Sequence, residues 1–529
     1  MTSSEQAVTV KEALKLGYDA FASKQYDKAA NIAKAILQKD NQVTPAHFLM
    51  GLVATDTQLP DIAISAFNSV VTLDQDHAAA WAHIAHHCMK SGLVGRAENA
   101  IQHLRRIRSD DPMVLNLMGQ TLTLMGEHTL ALNCYGRAHN IAPENIMFMH
   151  NLANTLIFDG KTEEAEKMLA TIIELEPHSP QAHWLIAGAR KAVDKSHINQ
   201  MHQLTAQFQN NHHATAFYQY ALGKEYEDLQ DWDNAFAAFA KGANAKRQVV
   251  SYNEQDEIDA FDYLKKHFTE SWLTDGQEGN PDPSPIFVLG QPRTGTTLIE
   301  RIITAHSEVH SAGELQQLRL AVVRLGGVQT PKPMALETFA AALELDPKSV
   351  ADMYLQSSGR MRGDKPRFVD KLPQNYMMLP LILKALPNAK IIHLVRSPMD
   401  ACFASYKQLF AETYHHSYDQ AEMARHHLRY LDLMSVWRDR FGERFLDISY
   451  EDTTRDLEPN VKRLIQFLDL PWQEQCLNFY QQKSAVSTAS AVQVRQPVHT
   501  RSIGRWRRYE RQLQPMRDII ESAGIAIVD

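Results

Sequence analysis

Cysteine is scarce in this chain: Cys88, Cys134, Cys402 and Cys476 are scattered through 529 residues and form no CxxC pair. That spacing excludes a disulfide frame or a cysteine zinc knot and predicts reduced thiols in a reducing compartment. Long apolar runs are lacking too. No stretch approaches the roughly 18 apolar residues of a membrane span, and Met1 to Gln6 carries no basic start, so the sequence predicts a soluble, cytoplasmic chain without membrane insertion. Neither sign of charge dominates, since 54 Lys plus Arg stand against 62 Asp plus Glu for a net charge of -8. No global pull toward nucleic acid or anionic lipid follows, and any anion site must be local.

What is present begins with a repeat. Gly17, Gly51, Ala85, Gly119, Ala153 and Ala187 follow one another every 34 residues, and Ala29, Ala63, Ala97, Ala131 and Ala165 keep the same step 12 residues behind. Two small residues per unit at that offset suit two antiparallel helices that cross closely, with Phe67, Trp81, Tyr135 and Ala138 filling in around them and Pro143 or Pro177 ending a unit. The phase is lost from Asp194 to Asn211 and returns at Gly223, Ala235 and Phe239 with a two-residue slip, which predicts one degraded repeat followed by a last one. The pattern resembles tetratricopeptide repeats. It implies an all-α superhelix of six or seven units over residues 1–265, whose concave side would hold a peptide or partner, or would only dock on the neighbouring domain. His83 and His87 stand at i, i+4, but no nearby carboxylate or cysteine completes a ligand set, and no metal is predicted.

Proline and glycine density between Thr274 and Pro285 marks a connector, so residues 266–284 are read as a linker. Beyond it, residues 285–529 alternate β-branched runs (Ile286 to Leu289, Arg367 to Asp370, Lys390 to Val395, Phe445 to Ser449) with helical patterns at Thr296 to His306, Met377 to Leu386 and Pro459 to Leu468. That alternation predicts an α/β domain with a parallel sheet and ligand at the strands' carboxyl ends. Its first strand runs into Gly290-Gln291-Pro292-Arg293-Thr294-Gly295-Thr296-Thr297, a turn that aims backbone N–H groups and a helix N-terminus at an anion. The Gly-x4-Gly spacing is that of a nucleoside-triphosphate loop, yet Thr296 stands in place of the lysine and Arg293 is the cation inside the turn. The swap points to a different anhydride.

From Pro285 to about Leu513 the chain resembles the sulfotransferase family, and its tyrosylprotein sulfotransferase-like branch more than the branch acting on small molecules. The resemblance implies a metal-independent transfer of a sulfuryl group from 3′-phosphoadenosine 5′-phosphosulfate (PAPS) to an acceptor hydroxyl, with protein or peptide tyrosine among the candidates. It implies that Gln291, Pro292, Arg293, Thr294, Gly295, Thr296 and Thr297 wrap the 5′-phosphosulfate, with Arg293 stabilising charge on the transferring group. Glu314, 21 residues beyond Arg293, matches the branch's general base, with His306 as the substitute. Lys371, in Asp370-Lys371-Leu372-Pro373, matches the lysine that neutralises the departing phosphate. Arg396 matches the ligand of the nucleotide 3′-phosphate, which suits a bidentate guanidinium. The family's serine stands eight residues later, where this chain has Ala404. Ser405 follows it, turned about 100° farther round a helix. Tyr450 falls near the nucleotide, and Ser490 and Arg505 fall where relatives place a serine and a lysine of the closing loop.

Two other readings stay open. A phosphotransferase using the same turn conflicts with the missing loop lysine and the lack of a recognisable magnesium aspartate. A repeat scaffold with an inactive nucleotide-binding domain is compatible with the displaced serine. The segment Gln408 to Arg429, with Tyr414, His415 and His416, could equally wall a pocket for a sugar, lipid or small phenol.

Overall fold

The structure, a computed structural model, describes residues 9–208, 210–328, 335–411, 413–482, 484–486, 488 and 490–527; the N-terminal stretch Met1 to Gln6 lies outside them. Helical hairpins fill the first half: α1 (Val10–Ala22) with α2 (Tyr26–Lys39), α3 (Thr44–Asp56) with α4 (Pro60–Leu73), α5 (Ala78–Lys90) with α6 (Val94–Ile107), α7 (Pro112–Leu124) with α8 (His128–Ile141), and α9 (Ile146–Asp159) with α10 (Thr162–Leu175). Their repeat has a simple steric cause. A Cβ built on Gly51 would stand 2.5 Å from the Phe67 ring, one on Gly119 2.7 Å from Tyr135, and one on Gly223 2.5 Å from Phe239. In each hairpin the first helix therefore lacks a side chain where the second helix inserts an aromatic ring.

The predicted degraded repeat is α11 (Pro180–Ala189) and α12 (Ser196–Gln207), and the last hairpin is α13 (His212–Asp228) with α14 (Trp232–Val249). A buried polar relay spans the irregular unit: the ring nitrogens His183 Nδ1 and His197 Nε2 lie 2.8 Å apart, and His197 Nδ1 donates to Glu225 Oε1 at 2.6 Å. The earlier histidines pack rather than ligate. His83 stacks on Phe67 with centroids 4.5 Å apart, and burial lowers its pKa to about 3, leaving the ring neutral.

The chain divides into two compact units, Met1–Phe148 and Met149–Asp529. Within the second, the last repeats and the α/β domain share one apolar core that contains Tyr220, Phe239, Met399, Phe403, Trp506 and Tyr509. The predicted linker is helical at its start, because α15 (Glu254–His267) and α16 (Glu270–Leu273) continue the α-helical run before residues 274–284 cross without regular structure.

The sheet comprises β1 (Pro285–Gly290), β2 (Val309–Ser311), β3 (Arg367–Lys371), β4 (Lys390–Val395) and β5 (Leu446–Ser449), all parallel in the order β2-β3-β1-β4-β5. Around it lie α17 (Thr296–Thr304), α18 (Gln317–Leu325), α19 (Leu336–Glu344), α20 (Pro347–Ser358), α21 (Leu379–Ala385), α22 (Pro398–Tyr406), α23 (Gln420–Phe441), α24 (Tyr450–Arg455), α25 (Leu457–Phe467) and α26 (Gln514–Ser522). β1 is central and buried at all six residues, as its unbroken apolar run requires. Its neighbours are in register with Val288 beside Lys371 and Gly290 beside Leu394, so the strands release their chains at one carboxyl edge.

The hairpin sterics set the sign of two substitutions. Gly51→Ala should destabilise by about 1–3 kcal/mol through overpacking against Phe67, whereas Gly136→Ala, in mid-helix with nothing within 4 Å of the new carbon, should stabilise by about 0.5–1 kcal/mol. Urea unfolding followed by circular dichroism checks both, and equal effects at the two sites would refute the steric account.

Candidate active site

The turn after β1 has an unusual backbone. Gly290 has φ +145°, Arg293 +65° and Gly295 +104°. A left-handed arginine is a local strain that costs on the order of 1–3 kcal/mol and is characteristic of ligand clamps. Gly295 is the N-cap of α17, and a Cβ there would lie 2.6 Å from the Tyr450 ring. Within the turn, the Thr294 hydroxyl donates to Gln291 O at 2.7 Å, and His427 Nδ1 donates to Gln291 Oε1 at 2.6 Å. Thr296 and Thr297 are buried and open the helix, and Thr297 Oγ1 lies 3.3 Å from Thr488 Oγ1.

Two guanidinium groups converge on this turn. Arg293 donates through Nη1 to Ser490 Oγ at 2.6 Å and through Nη2 to Gln493 Oε1 at 3.3 Å. Arg396, which leaves the end of β4, donates to Arg293 O at 2.6 Å and Ser502 O at 2.8 Å, and lies 4.5 Å from the Tyr450 ring centroid. Burial, and then the charge of Arg396, lowers the pKa of Arg293 to about 10. Among the described residues, each arginine keeps a buried Nε without a hydrogen-bond partner, as do Arg505 Nε and Gln291 Nε2. Buried donors and like charges held together without an acceptor are costly, and together with the N–H groups of the α17 N-terminus they form a site that suits a polyanion.

A carboxylate and lysine cluster lies at the end of β3. Lys371 is 1% exposed and pairs with Glu314, while Glu300 Oε2 of α17 is 3.9 Å from its Nζ. Burial opposes the ammonium, but Glu314 and Glu300 outweigh it and raise the pKa of Lys371. Burial also raises Glu300, whose Oε1 accepts from Ser311 Oγ at 2.6 Å. Asp370 is pushed up to about 8 by burial and accepts from the Tyr354 hydroxyl at 3.0 Å. Glu314 is the open member, its side chain 43% exposed. Tyr414, raised by burial and by the nearby charge of Glu314, marks the approach to it.

The structure thus gathers the sequence-predicted residues at one strand edge and specifies their contacts. Ser405 is buried and donates to Pro292 O at 3.3 Å, bracing the turn from below. Arg505 donates to Glu227 Oε2 at 2.8 Å. His306, considered as a substitute base, is fully buried and tied to Pro471 O at 2.9 Å; packing under the sheet removes it from that role. Glu300, Ser311, Lys407 and Glu227 were not singled out by sequence reasoning. For Glu300 one signal was available, since a charged residue on the face of α17 toward the sheet is out of place in an amphipathic pattern.

Glu257, His416 and His426 bring ligand atoms within 4.8 Å of one another. Their geometry does not fit a metal ion. The two imidazoles stack with centroids 3.5 Å apart and 12° between planes, so their in-plane lone pairs cannot converge on a common ion. Arg429 already donates to Glu257 Oε1 at 2.7 and 2.9 Å. The cluster clamps α15 to α23.

The sulfotransferase family model matches residues 285–474. Among curated proteins, an uncharacterized protein of Aquifex aeolicus (strain VF5) is 29% identical over 441 residues, covering 82% of this chain and 58% of the relative. A protein-tyrosine sulfotransferase of Drosophila melanogaster is 25% identical over 267 residues, covering 47% of this chain and 53% of the relative. The matches thus span little more than half the length of these relatives. Among solved structures, the sulfotransferase domain from the Synechococcus PCC 7002 olefin synthase is 21% identical, with 48% of this chain and 98% of that chain covered and a TM-score of 0.33. MamA protein is 21% identical, with 32% and 92% covered and a TM-score of 0.26. No helix among the described residues is long and apolar enough to cross a membrane. Residues 285–474 thus match the sulfotransferase family, and an array of helical hairpins precedes them.

Proposed function

We propose that the chain is a PAPS-dependent sulfotransferase acting on an acceptor hydroxyl, with the tyrosine of a protein or peptide as the favoured acceptor. The observation that carries this reading is the half-buried pair Arg293 and Arg396, whose buried Nε atoms have no partner among the described residues, beside a helix N-terminus and one strand away from the Lys371–Glu314 pair. The orphaned donors fit the group. Gln291, Pro292 and the Arg293 to Thr297 backbone would hold its 5′ end, and Arg396, Tyr450, Ser490 and Arg505 the nucleotide, with Ser405 bracing the turn. When bound, PAPS supplies a sulfuryl group on a phosphosulfate anhydride, and no metal is required in this scheme.

The chain's own groups then divide the work. Glu314 accepts the acceptor's hydroxyl proton at a carboxylate oxygen. Lys371 keeps its charge because Glu300 remains beside it, and it neutralises the oxygen that departs. Arg293 meets charge developing between the two. In this scheme residues 1–265 form the repeats, 266–284 join them to the catalytic residues 285–529, and the array presents the acceptor. A groove lined by polar residues such as Asn41, His47, Asp61 and Arg96 together with Ile64 and Leu93 supports peptide docking.

Adenosine 3′,5′-bisphosphate should raise the melting temperature while ATP with magnesium does not. Arg396→Met should weaken that binding by roughly 10- to 100-fold, the value of one charged hydrogen-bonding group. Stabilisation by ATP alone would instead favour phosphoryl transfer.

Glu314→Gln should lower kcat for label transfer from PAPS to tyrosine peptides by about 10²–10⁴-fold while nucleotide binding persists. An unaltered kcat would remove the carboxylate from the mechanism.

A further inference from the structure

A carboxylate of the repeat array lies among the cations that surround the proposed nucleotide site. Glu227, in the last turn of α13, is 8% exposed. Its Oε2 accepts from Arg505 Nη2 at 2.8 Å and from Lys407 Nζ at 2.9 Å. Its Oε1 accepts from Lys407 Nζ at 3.0 Å and from the Tyr509 hydroxyl at 2.8 Å. Lys407 is the C-cap of α22, two residues beyond Ser405. Arg505 and Tyr509 bound a short 3₁₀ segment whose entry is fixed by Asp400, which accepts from Gly504 N at 2.6 Å and Trp506 N at 3.3 Å. Hairpin packing does not require this group, since Gly223 and Phe239 close the α13–α14 contact without it. A buried carboxylate is retained at a cost of several kcal/mol unless it is paired, and all of its partners lie in the α/β domain.

We infer that Glu227 is a positioning residue of the nucleotide site, fixing Lys407 and Arg505 within the cation cluster that meets the nucleotide's phosphates. The inference rests on the reading of that site as one for PAPS. It makes the last repeat a structural part of phosphate recognition, not an appended module.

The electrostatics supply the means. Lys407 faces Glu227 from α13, Arg505 and Tyr509 from the 3₁₀ segment, Arg293 from the loop and the Phe403 ring, 5.3 Å away on its own helix. Arg508 adds positive charge near Tyr509. Burial lowers the pKa of Lys407 to about 8; Glu227 opposes the fall, while Arg505 and Arg293 add to it. Burial disfavours the ionised form of Glu227, but Lys407 and Arg505 outweigh it and keep its carboxyl below the usual range. Without the carboxylate, Lys407 would lose its proton at lower pH and both cations would lose their anchor. An ammonium without its proton offers a phosphate no charge. Loss of the carboxylate therefore weakens the lysine's charge more toward neutral and alkaline pH than in acid.

Calorimetric titration of the full-length chain with adenosine 3′,5′-bisphosphate between about pH 5.5 and 9 reads this directly. Glu227→Gln should bind about tenfold more weakly than the parent at about pH 7.5, with the gap narrowing toward about pH 5.5, as expected for one to three units of pKa change at a neighbouring cation. Glu227→Asp should restore part of the loss. Lys407→Arg, whose guanidinium stays charged, should remove the alkaline decline in affinity. A Glu227→Gln affinity equal to the parent's at every pH would overturn the inference. If that variant does not fold, an alkaline decline that persists in Lys407→Arg overturns it and a flat profile supports it. A parent that fails to bind the nucleotide would defeat the PAPS reading itself and the inference with it, an outcome distinct from a binding parent with an indifferent Glu227.

Discussion

Positive charge partly withdrawn from water is the constraint around which the α/β domain is arranged. Arg396, at the end of β4, donates to the backbone carbonyl of Arg293 in the turn after β1, and a buried Nε of each has no partner among the described residues. Such an arrangement is unstable unless surrounding structure imposes it. The imposition comes from several directions: Tyr450 lies against Gly295 and faces the Arg396 guanidinium, Ser405 holds the Pro292 carbonyl, and Ser490 and Gln493 fix Arg293 from the C-terminal segment. These contacts hold the turn in one arrangement, which is the condition for electrostatic stabilisation without reorganisation.

The same logic separates the two ends of the site. At β3 the charges are compensated, Lys371 lying between Glu314 and Glu300, and the exposed carboxylate is the one able to move. At β4 and the loop, compensation is incomplete. Between these poles runs β1, whose burial on both faces places them one strand apart on either side. Position in the sheet, more than any single contact, sets the distance over which a group could be transferred.

The repeats and the α/β domain meet through chemistry as well as packing. Tyr220 donates to the Tyr406 carbonyl at 3.0 Å, Arg247 pairs with Glu422, and Glu257 accepts from His426 and Arg429. These buried or half-buried pairs lie along α13, α14 and α15, on the side of the later repeats that enters the shared core. An ion pair removed from solvent loses much when one partner is deleted, so the later repeats and the α/β domain are expected to unfold together.

Local chemistry was legible in the sequence. The 34-residue spacing of small residues foretold the hairpins because positions such as Gly51 and Gly119 must leave room for a ring one helix away, a rule acting within some sixteen residues. The loop Gly290 to Thr297 could be read because glycine placement and a helix start define its backbone. Four of the five strands could be found from their apolar runs; β2 could not, since three residues give no period. Whether Ser405 makes a contact, what Arg505 pairs with, and the presence of Glu300 and Glu227 at the site were decided by tertiary structure. These pairings join residues far apart in the chain, where no spacing rule operates and burial alone determines which charges must be paired.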